Sequence, residues 1–462
     1  MMLHSVAFRR RTLERFLTSQ KRYFQNLAEF DQWREDVRGS RLVAPETTTS
    51  MPLQKAAPFL HSVCPMAKHL HLSGNGDFVV GPDGAEGLKS PRDSLLQCTY
   101  PLESDELLRH ATADFSSFAP VRLGKFYSVV DALTADVAYR HCGEIDGNIP
   151  TLVTAGHYQS RKLDKTYSHR DLLIQSYVTQ VGTSSMEVRT DAIQFNEEDN
   201  TEVLVNVCHT VMVALDKESG KSLGKVGKAI PGLKVETDDD AQRQALAEQH
   251  ANIRRQRAAK TVQLHAPAST PPNMEELECL HQLHQTRAKH LMVDGNSSDI
   301  PPSVKDFTFQ SSAIIFPESR NVHGKLFGGF VMEESQSLAQ YCATFFAKGK
   351  PIIPLGIDEA VFLSPIRIGD MVTFEAKVVH SSANTCRVTV NVDVKDPADR
   401  HKVPKRSNRI TFVFGGSNFP GILPETYSEM LEYIDAKKLY EVEGPTDAEV
   451  EYIIKECRPL KK

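Results

Sequence analysis

The strongest constraint on how this 462-residue chain can fold is that one series of secondary-structure signals occurs in it twice, in the same order. Asp93–Leu102 and Asp306–Pro317 both open on an aspartate, alternate partly between apolar and polar residues, and run into a proline, which predicts a strand in each place. Phe126, Val130, Leu133 and Val137 then recur at helical spacing within 126–139, and the second half has its own helical stretch over 328–346. After the helices, Thr151–His157 answers Pro354–Glu359, Asp171–Val178 answers Asp370–Val378, Met186–Phe195 answers Thr385–Val394, and Val203–Ala214 answers Ser407–Phe414. A matched series at nearly constant offset points to duplication. Each copy reads strand, helix, then several antiparallel strands joined by short turns, an α+β unit in which one long helix is available to be wrapped by a sheet.

This order divides the chain into residues 1–37, a basic leader; 38–92, a loosely structured extension rich in Pro, Gly, Ser and Thr; 93–237, the first unit; 238–300, a helical linker; 301–424, the second unit; and 425–462, a tail. The linker is dense in Ala, Gln, Glu and Arg and is broken by Pro267 and Pro271-Pro272. Its Arg254-Arg255-Gln256-Arg257 cluster reads as a solvated face. Residues 425–438 of the tail are expected to be helical, with the acidic piece that follows lying on the surface.

Composition removes several function classes. A net charge of -5 provides no global basic surface, so nucleic acid is disfavoured as a partner. The eight cysteines are scattered without Cys-x-x-Cys or paired Cys/His spacing, which fits a reduced compartment and gives no sign of a structural zinc site. Cys142 and Cys342 follow apolar helical runs and read as small buried hydrophobes. Arg9, Arg10, Arg11, Arg15, Lys21 and Arg22 face only Glu14 within the first 24 residues, interleaved with Leu3, Val6, Phe8, Leu13, Phe16 and Leu17. That is the composition of a mitochondrial presequence, and no segment is apolar enough for a membrane span.

The residues with chemical potential concentrate in Asn321-Val322-His323-Gly324-Lys325-Leu326-Phe327-Gly328-Gly329-Phe330-Val331-Met332-Glu333-Glu334. A polar pair, a glycine pair and an apolar helix start in succession aim a helix N-terminus at a ligand, where free amides and the helix dipole favour negative charge. Phe327, Val331, Leu338, Cys342 and Phe345 follow at helical spacing and are expected to be buried. In the first half, Asp131 lies among Val, Ala and Leu, where a carboxylate is costly without a partner or a purpose. Asp136 falls elsewhere around that helix, and either aspartate could equally be a surface or helix-end group. No Gly-x-Ser-x-Gly elbow and no Gly-x-x-x-x-Gly-Lys-Ser/Thr loop is present.

Across about 93–414 the chain resembles the double-hotdog acyl-CoA thioesterases of the mitochondrial type, on the strength of Asn321–Phe330, the Asp131-Ala132-Leu133 helix leading to Tyr139, and the helical insertion between the units. The resemblance implies tandem hotdog domains, hydrolysis of acyl-CoA thioesters, a site shared between the two units, and assembly into homo-oligomers. It carries Asp131 and Asn321 over as the catalytic pair, Gly328, Gly329 and His323 as positioning or oxyanion groups, and Glu333 as the acid of a second site. That second site is expected to be degenerate, because Ala119–Lys125 provides neither an asparagine nor a glycine pair. Asp131 would act as general base or as direct nucleophile. No metal and no cofactor beyond the CoA of the substrate is expected, and a matrix location follows from the leader. Two rivals remain, a hotdog hydratase or dehydratase that uses His323 with an acid, and a non-catalytic acyl-CoA sensor.

Overall fold

The computed structural model describes residues 87–114, 121–196, 201–265, 272–292, 301–321, 323–398, 403–443 and 447–457, with residues 41, 49–50, 60 and 70–74 of the extension. The basic leader of residues 1–37 lies outside the described residues. The strands are β1 (Thr49–Ser50), β2 (His71–Gly74), β3 (Leu96–Tyr100), β4 (Thr151–Lys162), β5 (Leu172–Val181), β6 (Ser185–Asn196), β7 (Thr201–Leu215), β8 (Thr308–Ile314), β9 (Ile353–Phe362), β10 (Met371–Ser381), β11 (Thr385–Lys395) and β12 (Lys405–Gly415). The helices are α1 (Pro91–Ser94), α2 (Glu106–Thr112), α3 (Leu123–Cys142), α4 (Asp238–His265), α5 (Met274–Met292), α6 (Gly328–Phe346), α7 (Tyr427–Glu443) and α8 (Asp447–Cys457).

All twelve strands form one sheet in the order β1-β2-β3-β5-β6-β7-β4-β9-β12-β11-β10-β8. The order is a mirror about the β4–β9 pair: β3-β5-β6-β7-β4 on one side repeats as β8-β10-β11-β12-β9 on the other. Each half is an antiparallel sheet around one helix, α3 in the first and α6 in the second, and both halves share one continuous apolar core. Two fused hotdog units are therefore present. The extension contributes two further strands at the β3 edge, a role its composition did not suggest.

The helices are wrapped unequally. In α3 every residue except Lys125 and Ala135 is buried, as expected of a helix enclosed by sheet and by a second helix. α6 buries one stripe that includes Val331, Cys342 and Phe346, while Tyr341 and Phe345 stay exposed. Phe345 thus departs from its expected burial because the stripe continues four residues after Cys342 rather than three. Its ring instead joins an aromatic group with Phe307 and Phe309 at the β8 edge. The tail also differs from its expectation. Helix α8 buries Val450 and Ile453 against Ile353, Leu355 and Val413, because its two apolar residues three apart share one face.

The seam between the halves is the β4–β9 ladder, where His157 pairs with Ala360 and Arg161 with Gly356. Two glycines make that approach possible. A Cβ on Gly156 would fall 2.5 Å from the Ala360 carbonyl oxygen, and one on Gly356, whose φ is +146°, would fall 1.9 Å from that of Ser160. Arg161 Nη1 and the fully buried Arg387 each reach Asp358, at 2.9 and 2.7 Å, so one carboxylate ties both halves together. Burial alone would raise Asp358, but the two guanidiniums outweigh it and hold the group below its ordinary range.

Gly356→Ala is expected to lower unfolding stability by ~2 kcal/mol or more, through backbone strain and the clash with Ser160. Urea unfolding measures it; an unchanged midpoint would show that the seam can open without cost.

Candidate active site

Asp131 sits near the middle of α3 with 5% of its side chain exposed. Its Oδ1 accepts a hydrogen bond from Thr154 Oγ1 at 2.8 Å, and His157 Nε2 stands 3.4 Å from the same oxygen. Thr154 and His157 are three residues apart on β4, and side chains three apart on a regular strand point to opposite faces. A bulge between Thr154 and Gly156 in the pairing with β7 resets the alternation, so both point at the helix. Thr210 Oγ1 holds His157 Nδ1 at 2.9 Å, and the rings of Tyr127 and Phe362 flank the imidazole.

The other carboxylate oxygen faces the second half. A Cβ on Gly328 would lie 2.7 Å from Asp131 Oδ2, and one on Gly329 would lie 2.8 Å from Ser128 Cα. Only glycine lets the start of α6 approach α3 this closely. Phe327, the residue before the helix, provides no side-chain cap and takes the Phe330 amide on its carbonyl, so the amides of Gly328 and Gly329 are the donors that the start of α6 presents beside the carboxylate. The expected juxtaposition of Asp131 with the glycine pair is thus present, while Thr154 and His157 were not recognised from sequence. The signal that could have found them is Gly156, since an isolated glycine within a strand pattern marks a bulge or a close backbone approach.

Asn321 stands differently from expectation. Its Oδ1 accepts from the amides of His323 at 2.9 Å and Lys325 at 3.1 Å, and its own amide donates to the Lys325 carbonyl. No hydrogen bond joins it to Asp131 among the described residues. An asparagine two residues before a turn can satisfy that turn locally, and this one does so, ordering the loop that leads into α6 and leaving its NH2 group as the remaining donor. His323 Nε2 meets the hydroxyl of Tyr139 at 3.1 Å, which docks the same loop onto α3. Partial burial lowers the imidazole below its usual range. Burial pushes the Tyr139 phenol up to about 12, so it remains a hydroxyl that also accepts the Leu152 amide at 3.0 Å. Val322 lies outside the described residues.

The reciprocal arrangement shows which residues correspond. A Cβ on Gly124 would lie 3.0 Å from Glu333 Cα and 3.2 Å from Gln336 Oε1. Glu333 therefore answers Ser128, and Gln336, buried and three residues on, answers Asp131. This corrects the assignment of Glu333 as the acid of the second site: an amide occupies that place. Glu333 instead pairs with Lys125 Nζ at 2.6 Å, the lysine that follows Gly124. Gln336 and Gln340 form a chain that ends on Asp114. The carboxylate of Glu334 is raised by partial burial and then by Glu333 beside it.

Other candidates resolve as structural. Asp136 is fully buried and accepts the Leu60 amide at 3.0 Å, so it anchors the extension rather than lying on the surface. Burial pushes the Cys142 and Cys342 thiols up to about 12, which makes them poor nucleophiles. A mostly apolar cavity at the start of α3 is lined by Val121, Leu123, Phe126, Leu172 and Val205, with Lys162 and Asn206 among its polar groups and Pro354 reaching it from the second half; Asp131, Thr154 and His157 do not line it.

Comparison with known proteins agrees with this architecture. Residues 323–399 match the Thioesterase superfamily. The chain is 26% identical over 357 residues to acyl-coenzyme A thioesterase 9, mitochondrial, of Mus musculus, covering 75% of this chain and 77% of that one. It is 28% identical over 375 residues to acyl-coenzyme A thioesterase 4, mitochondrial, of Humulus lupulus, covering 76% and 67%. For the Homo sapiens acyl-coenzyme A thioesterase 9, mitochondrial, identity is 24% over 370 residues, covering 79% and 81%. With two hotdog units joined edge to edge and a carboxylate set against a glycine-pair helix start between them, this chain is similar to the hotdog-fold acyl-CoA thioesterases.

Proposed function

We propose that this chain hydrolyses acyl-CoA thioesters to a carboxylic acid and free CoA, at one site built from both halves. The observation that carries the reading is a single carboxylate with two differently employed oxygens: Asp131 Oδ1 is held by Thr154 beside His157, while Oδ2 faces Gly328. A carboxylate fixed in this way can take a proton from water as the water attacks a carbonyl. The thioester carbonyl would lie toward the free amides at the start of α6, which stabilise the negative oxygen of the tetrahedral intermediate. The water oxygen bonds to the acyl carbon, the carbon–sulfur bond breaks, and the proton passes from Asp131 to the departing thiolate. No cofactor is required by this route.

Asn321 serves as a positioning residue that orders the loop and directs its remaining NH2 donor, and His323 fixes that loop to Tyr139. The reciprocal site is degenerate in this reading, because Gln336 cannot act as a base and Lys125 neutralises Glu333. A mitochondrial location is supported by the names of the relatives, and the basic leader of residues 1–37 adds the matrix to that reading. Among the described residues no helix is long and apolar enough to cross a membrane. Assembly into homo-oligomers is supported by the exposed apolar residues at the β8 end of the sheet, including Ile314, Phe316 and Met371.

Asp131→Asn should reduce thiol release from saturated acyl-CoA by about a hundredfold or more while leaving the circular dichroism spectrum unchanged. Gly328→Ala should reduce it comparably by driving a methyl group into the carboxylate, whereas Glu333→Gln should retain most activity. Wild-type rates in both Asp131→Asn and Gly328→Ala would remove the site assignment, and an unsaturated product in place of free thiol would favour a dehydratase. Light scattering should return a mass at least twice the 51.5 kDa of one chain; a monomer at all concentrations would refute the assembly.

A further inference from the structure

A second polar cluster lies on the opposite face of the first sheet, away from α3 and the active site. Linker helix α4 covers that face. Glu187 on β6, His209 on β7 and His250 on α4 converge there, and all three are more than nine-tenths buried. Glu187 is paired with Val211 in the sheet, so His209, two residues along, shares its face. Glu187 Oε1 stands 3.3 Å from His209 Nδ1 and 3.6 Å from His250 Nδ1. The two imidazoles meet edge to face at 4.6 Å. Both Nδ1 atoms are buried and face Glu187 Oε1 without a well-aligned hydrogen bond, an arrangement that a shared ion between the three donors would satisfy.

We propose that Glu187, His209 and His250 bind a divalent transition-metal ion of the zinc class, which fastens the inter-domain linker to the first hotdog sheet. Tetrahedral bonds of ~2.0–2.1 Å set neighbouring donors roughly 3.3 Å apart, close to the spacings found here. Two imidazoles and a carboxylate suit zinc better than magnesium or calcium, which prefer oxygen. Arg254 binds Glu187 Oε2 from the solvent side, an outer-sphere contact that turns Oε1 toward the histidines. Thr179 Oγ1 adds a hydrogen bond to Oε1 at 3.2 Å. The neighbouring Arg189 is paired with Asp191 at 2.8 Å and so adds little unbalanced charge.

The three ligands are far apart in sequence and come from three elements, so no spacing rule for zinc reveals them. Among the described residues the second half has no counterpart, since Arg387 on β11 stands at the place that answers Glu187 and pairs with Asp358. The site is therefore an addition to the first copy, placed where the linker leaves it.

The test uses the full chain stripped with chelator and titrated with Zn2+ or Co2+ alone. One ion per chain is expected, with a visible Co2+ absorption typical of a four-coordinate nitrogen and oxygen site. His250→Ala, on the helix surface that faces the sheet, should weaken binding by about a hundredfold and abolish the spectrum. His209→Gln, closer in size to the native ring, should do the same while preserving the fold. Zinc should raise the melting temperature of the wild type and leave that of His250→Ala unmoved. Absence of stoichiometric binding would overturn the proposal, as would equal binding in both variants.

Discussion

Edge pairing between β4 and β9 governs the rest of the molecule, because it fixes where the two helices stand relative to each other. Once those strands are joined, α3 and α6 lie against one sheet with their N-terminal halves in close contact. The pairing is possible only because Gly156 and Gly356 lack side chains where a carbonyl of the facing strand presses in. The same strand that makes the seam also carries Thr154 and His157, so closing the sheet and positioning the carboxylate are one structural event. An ion pair network through Arg161, Asp358 and Arg387 lies along that seam and resists separation. Removing Asp358 would leave the buried Arg387 guanidinium without its counter-charge, at a cost of ~3–5 kcal/mol.

The fold was largely legible because duplication doubles every weak signal: a strand inferred once is uncertain, whereas one inferred twice at the same place in a series is constrained. The glycine pair marks where α6 begins, and apolar spacing finds α3, which runs three residues beyond the expected 126–139 at each end. What escaped were features set by tertiary contact. The extension strands β1 and β2 take their conformation from the β3 edge, not from their own composition. Burial of α8 depends on the surface that Ile353, Leu355 and Val413 leave open. Phe345 missed the core by the drift of a stripe along a helix of 3.6 residues per turn.

In the site, Asp131 and the glycine pair were readable because an aspartate in an apolar helix and two glycines at a helix start are each costly on their own terms. Thr154 and His157 were not, since a single extra residue in a strand reverses which face a side chain occupies, and alternation alone predicts the wrong one. Glu333 was misplaced for a related reason. Matching acid to acid along two helices is less reliable than matching the backbone approach of Gly124 to that of Gly329, and three residues of error separate a glutamate from the glutamine that holds the position.

Covalent fusion of the halves has a thermodynamic effect that a pair of separate hotdog chains would lack. In separate subunits, a carboxylate from one and a glycine-start helix from another meet only while the dimer survives, so activity falls on dilution. Here the connecting segment keeps the halves at an effective concentration set by its own length. The tether also lets the two copies differ: one side holds an amide, Gln336, where the other holds the Asp131 carboxylate, and neither can lose its partner by dissociation.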